Sequence, residues 1–238
     1  MSQIPMDPVV RLRGAVALTG RFPALSGVDL TVSRGEVVSV VGANGAGKTT
    51  LLRVLAGLVP PRSGEVLVLG VDLCQEPAAV RRRVGLLGHA PSLYDELTAK
   101  ENVRFALRAA GVAAGEVAGA LERVGIIGRL ATTPVGGLSA GQRRRVALAA
   151  LVARAPELWL LDEPHAALDP GARELLAGLI AGAAAGGAAV VFSSHEPEAA
   201  AALSDRQAVM GGGRITELRS GSRRAKLSSL GEGDSHVA

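Results

Sequence analysis

The sequence predicts an α/β fold, a parallel sheet covered by helices on both faces with antiparallel strands at one side. Three observations predict it. Apolar strand-like runs alternate with stretches of helical spacing over most of the chain. The central runs "EVVSVVG" and "ELWLL" are almost continuously apolar, as strands buried on both faces require. Hydrophobic residues make up 48% of the 238 residues and aromatics only 2%, so the core must be built from Ala, Val and Leu. A chain of this length buries a full core as one domain, or as one domain with a lobe.

Taken in order, "VVRLRG" (9–14) and "GVDLTV" (27–32) read as antiparallel edge strands. "EVVSVVG" (36–42) reads as a buried strand leading directly into a glycine-rich loop, and "GEVLVLG" (64–70) as a further strand. Residues 99–127 have apolar positions at helical spacing, broken by Gly111, Gly115 and Gly125. From 138 the pattern runs helix, strand "ELWLL", helix, strand "AVVFSS", helix, and two short strands "RQAVM" and "RITEL". The uncharged run "LLAGLIAGAAAGGAAVVF" (175–192) is long enough for a membrane span. It is mostly Ala and Gly, and Gly186-Gly187 divides it, so it reads as a helix followed by a buried strand. No internal repeat is present.

Domain organisation follows from composition. Residues 1–218 form the folded domain, and from about 219 "RSGSRRAKLSSLGEGDSHVA" reads as a flexible basic tail (219–238), its Arg219, Arg223, Arg224 and Lys226 free to touch anionic lipid. The net charge of +4 permits contact with nucleic acid or an anionic membrane. Stacking on single-stranded bases needs aromatics that are almost absent, so no nucleic-acid partner is expected. Cys74 is the only cysteine, which excludes an internal disulfide and a cysteine-cluster metal site. The opening "MSQIPMDPVVRLRG" lacks the basic-then-apolar pattern of a secretory signal, so a cytosolic setting is expected.

Two motifs carry chemistry. "GANGAGKTT" (42–50) comprises Gly42, Ala43, Asn44, Gly45, Ala46, Gly47, Lys48, Thr49 and Thr50, and fits G-x-x-x-x-G-K-[ST] between a strand and a helix. There the glycines let main-chain N–H groups converge on phosphate oxygens, and the helix N-terminus adds positive potential. Lys48 would reach the β- and γ-phosphates of a nucleoside triphosphate and Thr49 would hold Mg²⁺. The alternative is a glycine turn that only caps a helix. "ELWLLDEP" (157–164) ends an apolar strand in two carboxylates, and ligands of open α/β sheets gather at the carboxyl ends of strands. If this strand lies beside the first, Asp162 serves the Mg²⁺ shell and Glu163 polarises the attacking water. By itself, Asp-Glu after a strand is commonly a solvated turn; its pairing with Lys48 favours the site.

With these residues in view, the chain resembles an ATP-binding subunit of the ABC transporter family over about residues 8–218. The matching motifs stand in family order: "GANGAGKTT", "LSAGQ" (138–142), "LLDEP", "AALD" (166–169) and "SSH" ending at His195. The resemblance implies a P-loop (RecA-like) core with an antiparallel β subdomain and a helical lobe inserted at about 90–153. It also implies ATP as substrate with Mg²⁺, a separate transmembrane permease, a second ATP-binding subunit (a homodimer favoured over a heterodimer), and peripheral attachment at the cytoplasmic face of the membrane. By the same resemblance Leu138, Ser139, Ala140, Gly141 and Gln142 form a signature loop that contacts the ATP of the partner subunit. Asp169 links the two sites and His195 contacts the γ-phosphate. Plainer roles exist beside these. Ser139 with Gln142 makes an S-x-x-Q capping box, Asp169 before Pro170 is a good N-cap, and a lone histidine is commonly structural. A capped helix start is also an anion site, so for Ser139 and Asp169 both readings hold together.

Two positions depart from the family pattern. The loop joining core and lobe has His89 where glutamine is usual, which leaves His89 as a further candidate beside the metal or as a solvated loop residue. The usual adenine-stacking aromatic falls on Thr19, with Phe22 the nearest ring. The wording "LGHAPSLYDELTAKENVRF" and "GQRRRVALAALVARAPELWLLDEP" is similar to the ATPases of haem exporters used in cytochrome c biogenesis, with other small exporters close behind. A soluble ABC-type ATPase acting on ribosomes or DNA is the alternative of another class. Such proteins usually carry two cassettes or a coiled-coil insertion, and neither is present. A small-molecule kinase of the same loop type would have no use for "LSAGQ".

Overall fold

A computed structural model describes residues 7–90, 92–113, 116–165, 168 and 170–223. Its strands are β1 (Val10–Thr19), β2 (Phe22–Val32), β3 (Val37–Val41), β4 (Ser63–Val68), β5 (Val71–Asp72), β6 (Val84–Leu87), β7 (Leu158–Leu161), β8 (Ala189–Ser194), β9 (Arg206–Gly211) and β10 (Arg214–Ser220). Its helices are α1 (Lys48–Leu55), α2 (Ala99–Ala110), α3 (Val117–Arg123), α4 (Ala140–Arg154), α5 (Pro170–Ala185) and α6 (Pro197–Leu203). The strands form two sheets. One is four-stranded and antiparallel in the order β2-β1-β4-β5. The other has the order β10-β9-β3-β8-β7-β6, parallel throughout except for the edge strand β10. The α/β class with an antiparallel subdomain is as expected.

Burial explains the central strands. All residues of β3, β7 and β8 are buried, and successive side chains serve opposite faces. Val38, Val40, Leu158 and Leu160 pack with α1 and the antiparallel sheet. Val37, Val41, Trp159 and Leu161 pack on the other side, against a layer of helices. The buried hydroxyl of Ser39, the one polar side chain of β3, is matched by the Ser204 hydroxyl at 3.0 Å. The apolar run 175–192 is split between α5 and β8, with Gly187 turning the chain at φ 89°. Among the described residues no helix is long and apolar enough to cross a membrane.

Helices α2, α3 and α4 lie between β6 and β7 in the chain and share one apolar cluster through Val103, Leu107, Leu121 and Val146. Helix α2 begins with a capping box of Thr98 and Glu101 and ends at Gly111, φ 73°. Ala114 and Gly115 lie outside the described residues. The strand β6, at the edge of the parallel sheet, is an element that sequence patterning did not predict.

The expected boundary at residue 218 is corrected. Strand β10 pairs with β9 as far as Ser220, and Arg223 Nη2 meets Asp205 at 2.7 Å in a pair whose side chains are only 12% and 6% exposed. Asp205 also accepts the Val37 N–H at 2.9 Å, so Arg223 helps to hold the start of β3. Arg219 is paired with Glu217 at 2.6 Å. Arg223 is therefore not a free lipid contact, whereas Arg219 stays about half exposed. Arg224, Lys226 and the rest of the expected tail, 224–238, lie outside the described residues. Arg223→Ala should lower unfolding free energy by about 1.5–3 kcal/mol, the range for a hydrogen bond to a charged group. Urea denaturation at neutral pH reads it, and a change below about 0.5 kcal/mol would mean that the pair is idle.

Candidate active site

The site is built at the carboxyl ends of β3, β7 and β8. After Val41 the chain turns through residues 42–47 and enters α1 at Lys48. Gly47, the residue before the helix, has φ 108°, and a Cβ there would stand 2.5 Å from the Ala24 carbonyl oxygen. Only glycine satisfies both the left-handed backbone and that approach. Lys48 is 7% exposed; its Nζ donates to the carbonyl oxygens of Gly42 at 2.7 Å and Ala43 at 3.2 Å. The ammonium is thereby fixed over the loop.

The carboxylates come from β7. Strand β7 does not lie directly beside β3, because β8 runs between them. Even so, Asp162 reaches across, and Thr49 Oγ1 donates to its Oδ2 at 2.9 Å. Ser193 of the intervening strand donates to Asp162 Oδ1 at 2.6 Å and accepts the Glu163 N–H at 2.9 Å. Glu163 has φ 48°, a left-handed backbone unusual for a side chain of its kind and costing about 1–3 kcal/mol. That turn carries one carboxylate oxygen to 3.7 Å from Lys48 Nζ and the other to 2.8 Å from His195 Nδ1. Lys48, Glu163 and His195, three predicted catalytic residues from three elements, are thus in one network.

A cavity of about 630 Å³ opens on this network, lined by the 44–50 loop, Asp162, Glu163, His195, His89 and Ala24. Thr49 and Asp162 offer hydroxyl and carboxylate oxygens, the donors that Mg²⁺ prefers. Among the described residues no group of three or more His, Cys, Asp or Glu could hold a metal, so the protein offers a partial set that phosphate oxygens and water would complete. His89 lines the cavity, but imidazole nitrogen is a poorer match for Mg²⁺ than oxygen. Neither Thr19 nor Phe22 lines the cavity, and Phe22 is 79% exposed at the β1–β2 turn.

The signature residues stand apart from this cavity. Ser139 accepts the Gln142 N–H at 3.3 Å while Gln142 Oε1 accepts the Ser139 N–H at 2.9 Å, the capping box expected at the start of α4. Leu138 is buried; Ser139, Ala140 and Gly141 are exposed. Asp169, with Ala166 and Ala167, lies outside the described residues.

Arg144 is a site residue that sequence reasoning missed. From α4 it donates to the carbonyl oxygens of Glu163 at 2.9 Å, Pro164 at 3.2 Å and His89 at 3.2 Å. Burial lowers its pKa, with the Asp162 charge opposing. It fixes the backbone that carries Glu163 and joins it to the signature helix. Arg144→Met should slow hydrolysis by about 10²-fold through misplacement of Glu163 while ATP affinity changes little. Single-turnover hydrolysis beside nucleotide titration decides it; an equal loss in both would assign Arg144 to the fold alone. His165 is buried, with Nε2 at 2.7 Å from Ser194 Oγ, and burial lowers its pKa, which favours the neutral ring.

Comparison with known proteins places this geometry. The profile described as "ABC transporter" matches residues 25–166, more than half of the chain. The chain belongs to the ABC transporter family. It carries the ATP-binding, ATP-hydrolysing cassette of that family. A methionine import ATP-binding protein from Caulobacter vibrioides is 42% identical over 207 residues, 83% of this chain. This chain spans 62% of that protein's length. The cytochrome c biogenesis ATP-binding export protein of Methylococcus capsulatus is 44% identical over 165 residues, 68% of this chain and 79% of that one. Among solved structures, a dimeric post-hydrolysis state of the ATP-binding cassette MJ0796 bound to ADP and Pi superposes with a TM-score of 0.78 at 28% identity, covering 89% of this chain and 98% of that one. ABC relatives thus include both import and export proteins.

Proposed function

We propose that this ABC cassette hydrolyses ATP as one half of a head-to-tail pair and drives a separate membrane permease from the cytoplasmic face. The observation that carries the hydrolytic reading is the Glu163 carboxylate, held between Lys48 and His195 at the mouth of the phosphate-binding loop. Glu163 takes the proton of the attacking water. His195 Nδ1 orients that carboxylate and its ring faces the terminal phosphate, while Lys48 and the loop N–H groups bind the phosphate chain. Thr49 and Asp162 would hold Mg²⁺, which supplies charge neutralisation at the phosphates when bound. Residues 138–142 serve the ATP of the second subunit and Asp169 links the two sites; for that subunit an identical copy is favoured.

A second feature supports the permease. Between β6 and α2 lies an apolar groove of about 220 Å³, at which Tyr94, 51% exposed, and Phe105, 47% exposed, stack edge to face. Asn102, 4% exposed, fixes the groove's loop by accepting the Tyr94 N–H at 2.8 Å and donating to its carbonyl at 3.0 Å. An exposed aromatic pair on a fixed loop suits a short amphipathic helix of the permease. Phe105→Asp should leave ATP binding intact and weaken copurification with the permease about 10-fold or more. Undiminished copurification would move the contact elsewhere.

For the cargo, export of haem for cytochrome c biogenesis is supported by the export relative and by the wording around His89. Import is supported by the methionine relative, matched over a longer stretch. Restoration of cytochrome c assembly in cells lacking their own export ATPase, with the cognate permease supplied, favours the first; substrate uptake by the reconstituted pair favours the second.

A further inference from the structure

Just after Glu163 in the chain stands a histidine that the proposed chemistry does not use. His165 is 2% exposed, and its ring lies edge to face with Phe192, 6.0 Å between centroids. Its Nε2 is 2.7 Å from Ser194 Oγ, and its Nδ1 is buried with no partner among the described residues. Ser194 Oγ also accepts the Glu196 N–H at 2.9 Å and donates to the Glu196 carbonyl oxygen at 3.3 Å. With the hydroxyl proton on that carbonyl, the His165 Nε2–H donates to Ser194. This tautomer is assigned from the network: it leaves only a lone pair at Nδ1, whereas the other would bury an orphaned N–H. The Ser194 hydroxyl therefore spans His195, tying the backbone on its far side to the end of β8.

Strand β8 ends in two serines whose side chains serve opposite faces. Ser193 accepts the Glu163 N–H at 2.9 Å, and Ser194 meets the His165 ring. The segment 163–165 is thus latched to β8 at both ends, and the second latch reaches the turn that carries His195. The His195 side chain is 53% exposed, so packing does not place it. Its place depends on the backbone at 194–196 and on the 2.8 Å contact with Glu163 Oε2. We propose that His165 is a positioning residue for hydrolysis: through Ser194 it holds the backbone about His195 so that His195 Nδ1 stays on Glu163. The inference rests on the reading of Glu163 and His195 as hydrolytic residues.

His165→Leu keeps an apolar side chain in the buried position and removes the ring nitrogens. In the full chain with saturating ATP and Mg²⁺, single-turnover hydrolysis should slow about 10-fold or more while ATP affinity changes by less than about 2-fold. His165→Gln, whose amide N–H can stand where the Nε2–H stood, should return the rate to within about 3-fold of wild type. Ser194→Ala should also slow hydrolysis, and the double variant should be no slower than the slower single one, because both lesions break one contact. Melting curves accompany each variant; His165→Asn, too short to reach Ser194, takes the place of His165→Leu if that protein does not fold. Glu163→Gln assayed alongside separates the failures. If it hydrolyses at the wild-type rate, the hydrolytic reading fails and this inference with it. If it is slow while His165→Leu is not, if affinity and turnover fall equally, if glutamine rescues no better than leucine, or if the two lesions add in full, His165 belongs to the fold alone.

Discussion

Glu163→Gln should bind ATP with unchanged affinity and hydrolyse it about 10²- to 10⁴-fold more slowly, a barrier higher by about 3–5 kcal/mol. The substitution is nearly isosteric. Glutamine keeps an oxygen to meet Lys48 and a polar group to meet His195, now 3.7 Å and 2.8 Å from the carboxylate, so the cavity keeps its shape. What it loses is the ability to accept a proton from water. Nucleotide titration and single-turnover hydrolysis separate the two effects. Equal losses in binding and turnover would make Glu163 a structural residue and send the search for the base elsewhere.

Two inactive variants should restore activity when mixed, if each site is shared between copies. Lys48→Ala removes the phosphate-binding ammonium of its own loop, and Ser139→Arg blocks the exposed start of α4. In a mixed dimer one site receives both lesions while the other pairs an intact Lys48 loop with an intact Ser139 loop. Hydrolysis should recover from near zero to as much as about a quarter of wild type, since half of the dimers in an equal mixture are mixed and each has one sound site. The placement of Ser139 favours sharing, because its exposed cap stands apart from the cavity that Lys48 lines. Ser139→Arg also removes a helix cap worth about 1 kcal/mol, so its melting curve must accompany the assay. No recovery, together with a Glu163→Gln protein that stays monomeric under saturating ATP and Mg²⁺ by light scattering, would eliminate self-pairing and point to an unlike partner.

Strands β3, β7 and β8 were legible because their burial is written into consecutive residues. Strand β6 escaped because "VGLL" is four residues long and has a glycine in it. The structure gives the reason for that glycine: a Cβ at Gly85 would collide with Leu151 of α4 and stand 2.7 Å from Pro156 Cγ, so the helical lobe rests directly on the strand. Lys48, Thr49 and the Asp162-Glu163 pair were legible because phosphate chemistry demands those residue types at fixed spacing. Arg144 was not. In "QRRRV" it is one of three arginines that read as a solvated face, and its acceptors lie 19, 20 and 55 residues away. Ser193 was hidden in the same way, since a serine at the end of an apolar strand gives no hint that it will hold two carboxylate residues of its neighbour.

The left-handed backbone of Glu163 bears on any attempt to harden this protein against heat. Glycine would occupy φ 48° without strain, and asparagine nearly so. Selection for survival at high temperature, with no check on turnover, would therefore reward replacement of the very residue we propose as the base of hydrolysis. A library of this chain ranked by melting temperature alone should fill with well-folded, silent variants at position 163.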